Sequence, residues 1–219
     1  MKFIKHRQSG FTLIEIAIVL VIIGLLLGGV LKGQEMIENS RIKSVVADLK
    51  GVSAAYNSYT DRFHAIPGDE LLATMTARGW TTTVGGNGNG VLAITPAQTF
   101  TNAGEEPSFW QALRAAGFTT GDPTLVGVAG LPKSGVNTLI GVSIGDYGMV
   151  GVEACVSGLS TKQARGVDVA IDSSEINNVG DARGINGAAN PLAPVAAAPA
   201  LTAYNETAVV NTWTMCRPL

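Results

Sequence analysis

Residues 10–31, GFTLIEIAIVLVIIGLLLGGVL, hold a single ionisable side chain, Glu15, inside an otherwise uninterrupted apolar run. No side chain from Ile16 to Leu31 is charged. Counted from Phe11 the run is 21 residues long, close to the ~20 that a helix needs to cross a bilayer core. Lys2, Lys5 and Arg7 precede it, so the leader side stays cytoplasmic while the longer C-terminal part is translocated. A cleaved secretory signal would have a shorter apolar centre and a small-x-small site behind it; Gly28 and Gly29 imitate such a site, but the run is too long.

An acid this deep in an inserted helix costs roughly 2.5–3.5 kcal/mol. Snorkelling to the interface is the plain explanation, because Glu15 lies near the start of the run. A cut between Gly10 and Phe11 offers another. It creates an α-amino group four residues before Glu15, one helical turn away on the same face. That amine can pair with its own Glu15 or with Glu15 of a neighbouring copy.

Gly10-Phe11-Thr12-Leu13-Ile14-Glu15 followed by the apolar run resembles the class III prepilin signal of type IV pilins and type II secretion pseudopilins. The resemblance implies cleavage after Gly10 by a prepilin peptidase, which also methylates the new N-terminal Phe11. It implies that Glu15 docks the N-terminus of an adjacent subunit, and that the partners are other copies of the chain and an inner-membrane assembly platform. Loss of the leader removes three positive charges and leaves a mildly acidic subunit. Gly24 matches a position around which pilin helices lose regular structure in the filament, where glycine's backbone freedom makes extension cheap. The pairs 24/28 and 29/33 also have the spacing that lets helices approach closely in lipid. Many relatives carry a helix-disturbing proline near position 32; this chain has Lys32.

No proline occurs between Phe11 and Ile66, and beyond Leu31 the pattern becomes one-faced. Ile42, Val45, Leu49, Val52, Tyr56, Tyr59 and Phe63 form one helical seam, suited to docking on a sheet of the same chain. A helix from Phe11 to Asp61 would extend roughly 75 Å at 1.5 Å per residue. The expected organisation is a leader at 1–10, a membrane or filament-core helix at 11–33, its amphipathic continuation at 34–63, and a head at 64–219.

In the head, Pro67-Gly68 turns the chain and Asp69 is placed to cap a short helix through Arg78. TTTVGGNGNG, residues 81–90, reads as a surface excursion, and without a following Lys-Ser/Thr it is not a P-loop. Pro107-Ser108 opens a helix over 109–116 that Gly117 stops. Residues 136–144 and 149–156 read as strands joined by a Gly145–Gly148 turn, and 207–215 as a third. The aromatic end of the seam, Tyr56, Tyr59 and Phe63, is expected against this sheet, and the fold class is α+β, with a long N-terminal spine packed on a small antiparallel sheet. Ser160-Thr161-Lys162-Gln163 has the form of a capping box for a helix to about Ile171, and NGAANPLAPVAAAPAL, 186–201, should be an exposed, irregular crossing.

The two cysteines, Cys155 and Cys216, lack metal-site spacing and read either as one disulfide in an oxidising compartment, the favoured reading, or as two buried thiols. In type IV pilins a cysteine pair often closes a C-terminal loop, the D-region, and 155–216 looks like that arrangement. Asp172, Glu175, Asn177, Asn178 and Asp181 crowd one loop with oxygen ligands. Some pseudopilins bind calcium near their C-terminal strands, so Asp172 and Asp181 are the calcium candidates. The spacing is not that of an EF-hand, and a solvated loop is the commoner outcome; no cofactor is expected.

Lys+Arg 15 against Asp+Glu 17 provides no basic field for nucleic acid, and such a role is left open. The only histidines are His6, in the leader, and His64, and there is no HExxH, GxSxG or dinucleotide fingerprint, so an enzyme is not expected. The sequence reads as a structural subunit of a type IV pilus-like filament, resident in the bacterial inner membrane before assembly and then in a periplasmic or cell-surface fibre. A type II secretion pseudopilin is the alternative, and a monomeric membrane-anchored binding module the second.

Overall fold

The structure is a computed structural model that describes residues 13–201, 204–206 and 212–219. They fall into two units, one ending at Ser40 and one comprising Arg41–Leu219. Helix α1 is assigned without a break over Leu13–Phe63, passing through Lys32. The rest of the order is α2 (Leu72–Ala77), α3 (Glu106–Ala115), β1 (Ile140–Ile144), β2 (Val152–Leu159), α4 (Thr161–Asp172), β3 (Arg183–Gly187) and β4 (Thr212–Pro218).

The expected α+β architecture is present. All four strands pair antiparallel in the order β1-β2-β4-β3. The seam of α1 behaves as its period requires: Ile42, Val45, Leu49, Val52 and Tyr59 are buried, with Val46 and Ala55 beside them. They share one core with Val142 of β1, Ala154 and Val156 of β2, Met215 of β4, Phe109 and Leu113 of α3 and Val167 of α4. Close approach is built in at Gly166 of α4, where a Cβ would lie 2.4 Å from Ile42 Cδ1.

Several expectations are corrected. The aromatic end of the seam is engaged by residues flanking α2 and α3: Tyr59 and Phe63 meet Trp80 and Phe118, with ring centroids 5.2–6.4 Å apart, and Tyr56 stacks on Phe109. The aromatics thus gather the α2–α3 layer onto α1, within the same core as the sheet residues. Helix α2 begins three residues beyond Asp69, after Leu71, which makes no side-chain cap. Asp69 instead accepts the backbone N–H groups of Asn89 and Gly90, 3.1 and 2.8 Å away.

The 81–90 segment is accordingly stitched to the head rather than a free excursion. Gln111 accepts from Thr83 N and Val84 N, Glu105 from Asn87 N, and the Glu70 carbonyl from Gly86 N at 2.7 Å. Glycine is required where the loop presses on the 68–72 backbone. A Cβ at Gly86 would sit 2.2 Å from the Gly68 carbonyl oxygen.

The first strand is shorter than expected because Ser134–Asn137 closes a tight turn, with Asn137 at φ +62°, so that only a bridge at Leu139 precedes β1. The second starts at Val152 rather than 149. Gly148 and Gly151 take positive φ, and Met149 N donates to Asp146 O, which extends the connection from β1. The third runs later, over Thr212–Pro218; residues 207–211 of the expected strand lie outside the described residues. Strand β3, which was not anticipated, pairs with β4 and completes the sheet. The helix opened by Pro107 begins at Glu106, and the Ser160/Gln163 capping box forms with both of its hydrogen bonds.

Candidate functional site

In the N-terminal unit the large apolar side chains from Leu13 to Leu31 all face outward, and the least exposed, Ile23, keeps 46% of its surface. A continuous apolar surface of this extent marks contact with lipid or with another protein, and α1 is long and apolar enough to cross a membrane. Glu15 is in the first turn and is exposed. The N-terminal end of a helix favours an acid electrostatically. Gly10 and Phe11, the expected processing residues, lie outside the described residues.

A Cβ placed at Gly24, Gly28, Gly29 or Gly33 would meet nothing within 4 Å. Among the described residues their small size therefore serves no packing, although each sacrifices helix propensity. Lys32 donates to Glu35 at 2.8 Å, an exposed pair that contributes little.

In the head, Cys155 and Cys216 are bonded across directly opposed positions of β2 and β4. The favoured disulfide reading is correct, and the bond lies within the ladder rather than at the strand ends. It encloses α4, β3 and the proline-rich crossing. That crossing is pinned at several points: Asn177 donates to the Ala200 carbonyl, Asn178 to that of Pro199, and Ser157 Oγ accepts from Leu192 N. Asp172 places one oxygen on Ser174 N and the other on Ala182 N, at 2.9 and 3.0 Å, closing its own loop. Glu175 pairs with Arg165, and Asp181 is exposed. His64 is the exposed residue that ends α1, at φ +52°.

Sequence reasoning missed four buried carboxylic acids. Glu106, Asp146, Glu153 and Asp168 are fully buried. Burial pushes Glu106 up to about 9, partly offset by the Val142 N–H that it accepts. Burial likewise lifts Asp146 to about 6, against the opposing hydrogen bond from Ser143, and lifts Glu153 to about 7, with the nearby Asp146 adding to the effect. Asp168, buried beside Tyr204, is raised to about 7. One signal was present in the sequence: Glu153 interrupts the apolar strand VEACVSGL. Asp146 was concealed inside a glycine-flanked turn.

Comparison with protein families matches residues 5–31 to the prokaryotic N-terminal methylation motif. Comparisons with curated proteins and with solved structures return no match. The matched residues are those of the class III prepilin signal and include Gly10, Phe11, Glu15 and Gly24.

Proposed function

We propose that the chain is a filament subunit of the type IV pilin kind: a prepilin held in the inner membrane by α1, cut after Gly10, methylated on Phe11, and polymerised with its apolar helices inside and its heads outside. One observation carries this reading. The methylation motif leads directly into a helix whose apolar side chains are exposed and whose glycines meet no packing neighbour among the described residues. In a filament core neighbouring helices replace lipid, and the open glycines allow close approach. Glu15 then sets the axial register. A subunit whose carboxylate misses the α-amine of its neighbour leaves a charge stranded in an apolar core. The disulfide-closed segment favours a surface fibre over the short periplasmic pseudopilus of a type II secretion system, which remains the second reading.

The test is mass spectrometry of the native protein's N-terminus together with its recovery in sheared surface fibres. The expected result is a chain that begins at Phe11, carries one methyl group and sediments with fibres. A mature chain beginning at Met1, or beyond Leu31, overturns the proposal. A processed chain confined to the periplasm selects the pseudopilus.

A further inference from the structure

Asp146 Oδ2 lies 2.9 Å from Cys155 Sγ, with all three of Asp146, Cys155 and Cys216 buried. A disulfide sulfur has no proton to donate, so in the oxidised protein this is a contact between a carboxyl oxygen and a sulfur. In the dithiol form the same separation is that of an S–H donor and its acceptor. The carboxyl and the backbone of its turn are each held by a hydrogen bond. Ser143 Oγ donates to the same oxygen, and Met149 N donates to the Asp146 backbone carbonyl. Its other oxygen, Oδ1, is buried with no hydrogen-bond partner among the described residues.

We propose that Asp146 is the proton acceptor that activates Cys155 when the Cys155–Cys216 bond is made, and the proton donor when it is broken. The oxidant is a disulfide of the glutathione or thiol-oxidoreductase class, first joined to Cys216 as a mixed disulfide. Cys155 S–H passes its proton to the Asp146 carboxylate, and the thiolate attacks Cys216 Sγ. The Cys155–Cys216 bond forms, the bond from Cys216 to the oxidant's sulfur breaks, and that sulfur leaves as a thiolate with the electron pair. Only the thiolate is nucleophilic, and an apolar site raises the thiol pKa. Without a local base the attacking species would be scarce at neutral pH. A carboxyl whose own pKa has been lifted by burial is better matched to this transfer than an ordinary aspartate. The charged and titratable groups around Asp146 are Glu153 of β2, Glu106 of α3, the adjoining Tyr147, and Arg183 of β3, which donates to the Tyr147 carbonyl. The acids keep the site able to hold a proton.

The experiment uses the full chain in detergent, reduced and then mixed with excess oxidised glutathione, with bond closure followed by acid quench, alkylation and mass analysis across about pH 5–9. For Asp146→Asn the expected result is closure at least about tenfold slower near neutrality, with the deficit disappearing as pH rises and solvent base takes over. Ser143→Ala keeps the carboxyl but removes the donor that favours its charged form. Its inflection should move to higher pH, an outcome still readable if Asp146→Asn does not fold. Equal rates for Asp146→Asn and the parent at every pH overturn the proposal, as does a slowing that is the same at every pH or an unmoved inflection in Ser143→Ala.

Discussion

Arg78 grips Glu70 through both carboxylate oxygens, at 2.5 and 2.6 Å, while the Tyr59 hydroxyl from α1 donates to the same carboxylate. The guanidinium also lies over the Phe63 and Trp80 rings, 4.7 and 5.1 Å from their centroids. One side-chain cluster therefore fastens α2 and its flanking turn to the end of α1. Burial opposes ionisation of Glu70, but the hydrogen bonds from Arg78 and Tyr59 outweigh it and hold the carboxyl below its usual range. Glu70→Gln should lower stability by about 1.5–3 kcal/mol, the range for hydrogen bonds to charged groups. Arg78→Lys should recover little of an Arg78→Ala loss, since an ammonium reproduces neither the paired contact nor the stacking. Urea unfolding of the three variants checks both statements.

The buried acids act on stability in the opposite pH direction. Glu70, with its pKa depressed in the fold, contributes stability above its unfolded value of about 4.3, lost as pH falls through the lower folded value. Asp146, Glu153 and Asp168 are raised to about 6, 7 and 7, and Glu106 to about 9. Between their unfolded values near 4 and these folded ones the native state binds more protons than the unfolded chain, so their stabilisation is complete at low pH and declines as pH rises. The melting temperature should thus peak in mildly acidic buffer, between about pH 4 and 6, and fall steadily toward pH 9. Glu106→Gln, which keeps an acceptor for Val142 N, should flatten the alkaline part of that decline. A melting temperature that rises from pH 5 to 9 would contradict the assignment.

Cleavage of the Cys155–Cys216 bond releases a closed segment with a sequence separation of 61. Chain entropy alone gives such a loop about 4 kcal/mol, an upper figure because measured gains are often smaller. Cys216→Ser should therefore lower the melting temperature by many degrees. It should also open the segment between β3 and β4 to proteolysis before the α1–α3 layer, because β4 lies between β2 and β3 and carries both of their pairings. Mass mapping of a limited digest decides this; simultaneous cleavage of both layers would mean that the bond holds no separable part of the head.

The long-period features of the fold were legible because each depends on one local rule. The α1 seam follows from helical spacing, the start of α4 from Ser160 and Gln163, and the end of α3 from Gly117, at φ +79°. What could not be read depends on partners distant in sequence. Asp69 resembles a helix cap locally, yet its oxygens are claimed by Asn89 and Gly90, some twenty residues on. β3 has only Arg183, Gly184, Ile185, Asn186 and Gly187 to announce it and exists because β4 offers an open edge. At the candidate site the motif was local and therefore visible. The environment of Asp146 is assembled from α3, β1, β2 and β3, and no window of sequence contains it.

Packing of the 81–90 segment supplies a contrast between two glycines. Gly86→Ala would drive a Cβ into the Gly68 carbonyl oxygen and the Asp69 backbone, groups that have no rotamer with which to yield. At Gly90 a Cβ would meet open space, and the only penalty is its φ of +82°. Gly86→Ala should cost upwards of about 3 kcal/mol, the high end of overpacking, and Gly90→Ala about 1–2 kcal/mol. Denaturant midpoints of the pair give the comparison, and equal costs would show that the loop is not pressed onto residues 68–72.

Gly24 and Gly51 separate intrachain from interchain roles. Both lie in α1, and at both a Cβ would meet nothing within 4 Å, so alanine at either should favour the isolated helix by roughly 0.5–1 kcal/mol. Gly51 belongs to the head unit and Gly24 to the apolar run. If apolar helices pack on one another in a polymer, Gly24→Ala adds a methyl group at a close crossing and restricts backbone extension there. Membrane insertion, N-terminal processing and head melting should then match the parent, while fibre recovery after shearing falls several-fold; Gly51→Ala should raise head melting slightly and leave the other three unchanged. Parental fibre yields from Gly24→Ala would mean that the open surface at this glycine faces lipid or solvent rather than a neighbouring helix.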